Sequence, residues 1–104
     1  MNSAVRPLEG IKVVELSHMV LGPSCGLILA DLGADVVKVE PAPEGDKTRQ
    51  LPGSGSGYFG AFNRNKRSVA VDLKSTEGHQ FAMKLVSGSD VLIENFGAGV
   101  LGRL

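Results

Sequence analysis

The run Ile11-Lys12-Val13-Val14-Glu15-Leu16, the turn at Gly22-Pro23 and the run Asp35-Val36-Val37-Lys38-Val39-Glu40 together decide the fold. The first run is nearly continuous in apolar and β-branched residues, as a strand buried on both faces requires. From Ser24 onward, apolar residues fall at Cys25, Ile28, Leu29 and Leu32. That i, i+3, i+4, i+7 spacing predicts an amphipathic helix, with Ser24 as its cap and Gly33 as its stop. Asp35 to Glu40 reads as a second strand. Strand, helix and strand joined by short connections imply a right-handed parallel crossover.

Working outward, Pro41 to Gly60 holds three of the five prolines and five of the fourteen glycines. It reads as one long loop, a feature that in compact domains tends to be functional. Ser68 to Leu73 is a third strand. Ser75 and Thr76 cap a helix that carries Glu77 in its first turn, on the favourable side of the dipole. Phe81, Ala82, Leu85 and Val86 form its inner face, and Ser87 to Ser89 end it. Asp90 to Ile93 is a fourth strand, and Glu94 to Leu104 follows as a loop or short helix. The alternation predicts an α/β fold, a Rossmann-like parallel sheet flanked by helices in three layers.

Composition bounds the function. The 104 residues, 42% of them hydrophobic, amount to one small domain, too apolar and too weakly charged for disorder. Eleven basic residues balance eleven acidic ones. Zero net charge argues against nucleic-acid and membrane-surface partners, which favour a basic face. The single cysteine, Cys25, has no internal disulfide partner, which fits a reducing, cytoplasmic compartment. No apolar run approaches the roughly 20 residues of a membrane helix, and residues 1–10 contain no signal-peptide core. The apolar ending Val100-Leu101-Gly102-Arg103-Leu104 reads as the interior of a longer chain.

Several residues invite chemistry. The turn after the first strand, Ser17 to Pro23, lies where ligands bind in open α/β sheets. Glu40 stands where a dinucleotide fold places its ribose-binding acid, but Gly22, Gly26 and Gly33 do not form the G-x-G-x-x-G fingerprint. His18 is a candidate base or ligand contact, although a single histidine is more often structural. His79 falls on the polar side of the second helix and reads as solvated. Two distant histidines and one cysteine make no zinc set. Cys25 sits near a helix start, which lowers a thiol pKa, yet its place in the apolar stripe explains it by packing. The run Asn63-Arg64-Asn65-Lys66-Arg67-Ser68 is open between a phosphate site and a solvated turn. Gly45-Asp46 and Arg49 belong to a lid or to a plain connection.

The chain also resembles a known family. The residues that carry the likeness are Pro7 to Ile11 with Val13 to Leu16, Gly22-Pro23, and Leu29 through Glu40. They continue as Gly45-Asp46-Lys47-Thr48-Arg49, Asn63 to Ser68, Asp72-Leu73-Lys74, Glu77-Gly78 and Asp90-Val91-Leu92-Ile93-Glu94-Asn95-Phe96. In this order they are similar to the N-terminal portion of class III CoA-transferases, the CaiB/BaiF family. The resemblance implies that residues 1–104 are part of a large Rossmann-like domain in a chain several times longer, which forms interlocked homodimers. It implies an acyl-CoA and a carboxylic acid as substrates, with the CoA thioester as substrate and no separate cofactor. Its nucleophile is an aspartate beyond residue 104 that forms an acyl anhydride and then a CoA thioester. Asp72 and Asp90 fall in motifs with structural positions.

By the same resemblance, CoA contacts fall on His18, Met19 and Val20 after the first strand and on Val71 and Lys74 at the third. The remaining contacts are Asn95, Phe96 and Arg103. Cations meet the phosphates, while Met19 and Phe96 offer apolar surface to pantetheine or adenine. Two departures stand out. Pro41-Ala42 replaces the Arg-Pro common in the family, and Val20 replaces the glutamine of its formyl-CoA branch. A 2-methylacyl-CoA racemase branch shares the front motifs but tends to lack the full Glu-Asn-Phe. A free-standing CoA- or nucleotide-binding module is the non-enzymatic alternative.

Overall fold

The computed structural model describes residues 5–97, 99–100 and 102. The elements are β1 (Lys12–Leu16), α1 (Leu21–Asp31), β2 (Asp35–Pro41), α2 (Tyr58–Asn63), β3 (Arg67–Val71), α3 (Thr76–Ser87) and β4 (Val91–Glu94). The four strands form one sheet in the order β3-β2-β1-β4, and every pairing is parallel. Alternate residues of β1 and β2 point to opposite faces. Val13 and Val36 pack with Ala30 and Ala34 under α1, whereas Val14, Leu16, Val39 and Val71 pack with Leu85 and Val86 of α3. The predicted three-layer α/β sheet is therefore the observed one.

Helix α1 departs from the predicted helix in two ways. It begins at Leu21, three residues before Ser24, and its N-cap Val20 makes no side-chain cap bond. Pro23 is tolerated there because first-turn amides need no intrahelical acceptor. The inward face is also not the predicted stripe. Gly22, Pro23, Gly26 and Ala30 are buried, while Cys25, Leu32 and Ile28 (60%) are exposed. The cause is a buried carboxylate: a Cβ on Gly26 would lie 1.9 Å from Glu15 Oε1. Only small residues fit against it, so of the predicted stripe Leu29 alone packs on the core while Ile28 and Leu32 turn outward, and packing does not explain Cys25. Gly33, at φ +109°, ends the helix as expected.

The stretch between β2 and β3 is not one unstructured loop. It contains two 3₁₀ turns, Lys47–Gln50 and Gly53–Gly57, followed by α2. Asp46 caps the first turn by accepting from the Thr48 amide, and the Asp46 amide in turn donates to Glu40 Oε1 at 2.7 Å. Strand β3 closes at Val71, so Leu73 lies in the following turn. Helix α3 keeps its predicted cap, with Ser75 Oγ accepting from the Gly78 amide at 2.9 Å. Ala82 is buried beneath it, but Phe81 stays 45% exposed rather than facing inward. His79 is half-buried instead of solvated. It lines a groove with Leu16, Leu73, Ala82, Met83, Val86 and Leu92. Among the described residues no helix is long and apolar enough to cross a membrane.

Candidate functional site

Beneath the C-terminal ends of β1 and β2, on the α1 face, lies a layer of buried charge. Glu15 and Lys38 are cross-strand neighbours, and Lys38 Nζ sits 3.3 Å from Glu15 Oε2 and 3.1 Å from Asp46 Oδ2. Lys38 also donates to the Ser17 carbonyl at 2.9 Å. Lys66 reaches the other Glu15 oxygen at 2.8 Å and donates to the Pro23 carbonyl and to Asn63. Alongside, Glu40 is held by Arg49 Nε and Nη2, at 2.7 and 2.8 Å, and by the Ser68 hydroxyl. The Arg49 guanidinium lies over the Phe59 ring at 3.9 Å. Its partners compensate each buried charge, which such groups require.

The protonation states follow from these partners. Burial alone would raise the Glu40 carboxyl. The Arg49 hydrogen bond, the Asp46 amide, the Ser68 hydroxyl and the Arg49 charge outweigh burial and bring it from 4.5 down to about 2. Burial likewise opposes ionisation of Asp46, and the Thr48 amide and hydroxyl with Lys38 hold it below its ordinary value. Burial pushes the Lys66 ammonium down, and Glu15 offsets only part of that. Glu40, with both oxygens engaged inside the fold, has no place for a ribose. The run at residues 63–68 is likewise structural. Arg64 pairs with Asp31, Arg67 pairs with Asp35, Asn65 donates to the Ala30 carbonyl, and Lys66 points inward.

Above this layer, at the C-terminal edge of the sheet, five of the eight predicted site residues converge. A cavity of about 380 Å³ is lined by His18, Met19, Thr48, Leu51 and Phe96, with Val39 and Pro41 as its floor. A second of about 380 Å³ shares Val39, Pro41 and Phe96 and adds Val71, Asp72, Lys74 and Val100. His18 and Phe96 stack, their ring centroids 5.6 Å apart. Asn95 lines neither cavity. Instead its side chain accepts from the His18 amide at 3.1 Å and donates to the His18 carbonyl at 2.9 Å. That prolongs the β1–β4 ladder by one side chain, because Leu16 and Glu94 are its last backbone pair. Val20, exposed before α1, also lines neither cavity, and Arg103 lies outside the described residues.

Thr48, Asp46 and Lys38 fall in the family-like motifs, but the sequence reading gave them no role in bracing this edge from below. Their signal was the set of charges Glu15, Lys38 and Glu40 placed inside otherwise apolar strands. Asp72 and Asp90 each serve the backbone, accepting from the Lys74 and Lys12 amides respectively. Among the described residues no cluster of three His, Cys, Asp or Glu could hold a metal ion.

Comparison with known proteins identifies the lineage. The chain is 43% identical to an acyl-CoA transferase of Fusarium pseudograminearum over 99% of its own length and 25% of that protein's. It is 47% identical to a formyl-CoA:oxalate CoA-transferase of Streptomyces coelicolor, covering 95% of this chain and 25% of the relative. Among solved structures it matches a CaiB/BaiF family protein from Brucella suis with 45% identity and a TM-score of 0.86, across 96% of this chain and 28% of that one. A hypothetical protein from Mycobacterium tuberculosis superposes with a TM-score of 0.88 at 39% identity, across 98% and 28%. The chain thus spans about a quarter of the length of the curated relatives it matches. The sequence profile of CoA-transferase family III matches residues 8–104, and the chain belongs to that family.

Proposed function

We propose that this chain is the CoA-binding N-terminal portion of the large domain of an acyl-CoA:carboxylate CoA-transferase. One observation carries the reading: two adjoining cavities meet at Phe96, at the strand ends where open α/β sheets bind ligands. Apolar walls from Met19, Leu51 and Phe96 suit pantetheine or adenine, and Lys74 suits phosphate. Within the longer polypeptide, a carboxylate nucleophile from another segment attacks the thioester carbonyl and expels the CoA thiolate, leaving an acyl anhydride. The thiolate then attacks the enzyme-side carbonyl of that anhydride and expels the carboxylate, giving an enzyme-bound CoA thioester. Neither Asp72 nor Asp90 is assigned that role, since each accepts a backbone amide at the surface, and Asp46 is buried against Lys38. The relatives' names favour transfer over racemisation. Acyl-CoA and carboxylate are the substrates, the full-length form is an interlocked homodimer, and the compartment is cytoplasmic.

Calorimetric titration of CoA into the chain tests the reading. Saturable binding is expected, and Lys74→Ala should weaken it without shifting the thermal midpoint. Absence of binding, or unchanged affinity in Lys74→Ala, overturns the placement. The intact mass of the native polypeptide from its source cells is expected to be several times that of 104 residues, and a mass matching this chain alone would overturn the transferase assignment.

A further inference from the structure

Among the described residues, Met19 and Asn65 are the non-glycine residues with positive φ, at +65° and +68°. Asparagine adopts that region readily, whereas a methionine there must be held by its surroundings. The Met19 amide donates to Thr48 Oγ1 at 3.0 Å, across 29 residues of chain. Thr48 is only 1% exposed, and its hydroxyl lies 2.8 Å from Asp46 Oδ1. A hydroxyl has one proton to give. Asp46, ion-paired with Lys38, takes that proton, so a Thr48 lone pair faces the Met19 amide. From the other side, Asn95 holds both backbone groups of His18.

We propose that Thr48 is a positioning residue for the cavity, its hydroxyl fixing Met19 in the left-handed conformation that places His18 and Met19 in the cavity wall. Thr48 acts through Met19, so its role is transmitted from the buried charge layer to the ligand surface. Asp46 orients the hydroxyl, and Lys38 anchors Asp46. The effect on ligand affinity rests on the reading of this cavity as part of a CoA site, whereas the effect on Met19 itself does not.

The test compares Thr48→Val, which removes the hydroxyl at nearly constant volume, with Thr48→Ser, which keeps it. CoA is the titrant, and the backbone NMR shifts of residue 19 are recorded alongside. Thr48→Val is expected to weaken CoA about tenfold, the order of one lost hydrogen bond, and to move the residue 19 signals. Thr48→Ser is expected to restore both. Wild-type affinity in Thr48→Val, or equal loss in both variants, overturns the proposal, since packing alone would then explain the residue. If wild-type chain fails to bind CoA, the functional reading falls, while the residue 19 shifts still decide the positioning claim. The wild-type chain also supplies a test that needs no variant to fold. The Met19 amide is expected to exchange with solvent more slowly than an unbonded amide, and exchange at the unprotected rate overturns the proposal.

Discussion

Gly26→Ala is expected to destabilise the chain, against the ordinary preference of helices. In a helix interior this exchange normally stabilises by about 1 kcal/mol. Here the new Cβ would stand 1.9 Å from Glu15 Oε1, 3.0 Å from Glu15 Cδ and 3.2 Å from Lys66 Cε. Glu15 cannot swing away, because it is fully buried and held by Lys38 and Lys66 on its two oxygens. Either α1 lifts from the sheet or the ion pairs separate. Overpacking alone costs about 1–3 kcal/mol, and separating a buried pair about 3–5 kcal/mol. Net of helix propensity, the expected loss is about 3 kcal/mol, a large fraction of a small domain's roughly 5–15 kcal/mol. With no tryptophan in the chain, urea unfolding followed by far-ultraviolet circular dichroism is the suitable assay. Gly60→Ala, in α2 with nothing within 4 Å of its Cβ, is the control and should be neutral or stabilising. A Gly26→Ala chain as stable as wild type would refute the packing of α1 over Glu15.

Three further outcomes follow from the ion pairs. Glu40 titrates near 2 in the folded state against 4.5 normally, so between those values the unfolded chain binds more protons and stability rises with pH. The contribution, about 3 kcal/mol from the shift, is fully present above pH 4.5 and lost as pH falls toward 2. Urea midpoints measured from pH 7 down to 3 should drop accordingly, and Arg49→Ala should flatten that dependence; an unchanged slope would dissociate Arg49 from it. Lys66→Met is expected to cost about 3–5 kcal/mol by leaving a Glu15 oxygen uncompensated, a loss read as a lowered urea midpoint. Arg64→Ala, which breaks the exposed pair with Asp31, should cost under about 1 kcal/mol; equal losses in these two variants would contradict the burial of Lys66.

The α/β class and the parallel β1–β2 crossover were legible because β1 and β2 are apolar runs, and because Gly33 and Ser75 carry the stop and cap chemistry that the backbone uses; the sheet order was not. The inward face of α1 was not legible. Periodicity places large apolar residues inside, but a carboxylate under the helix admits only Gly22, Gly26 and Ala30 with Pro23. The stretch after β2 misled through its prolines and glycines, since the contacts that order it are side-chain bonds back to Glu40 and Lys38 on the preceding strand. At the candidate site, His18, Met19, Val71, Lys74 and Phe96, which the family resemblance singled out, gather around two cavities. Asn95 emerged as a clamp on backbone rather than a wall of either cavity. No spacing rule could have exposed that, because its partner lies 77 residues away.

The outward turn of α1's larger side chains has a practical sequel. The chain's single thiol, Cys25, stands exposed on α1, a helix that starts two residues after Met19, and lines neither cavity. A maleimide dye attached there needs no engineered cysteine and faces no competing thiol. In a polypeptide without tryptophan, it gives an optical handle beside the loop that ligand is expected to touch.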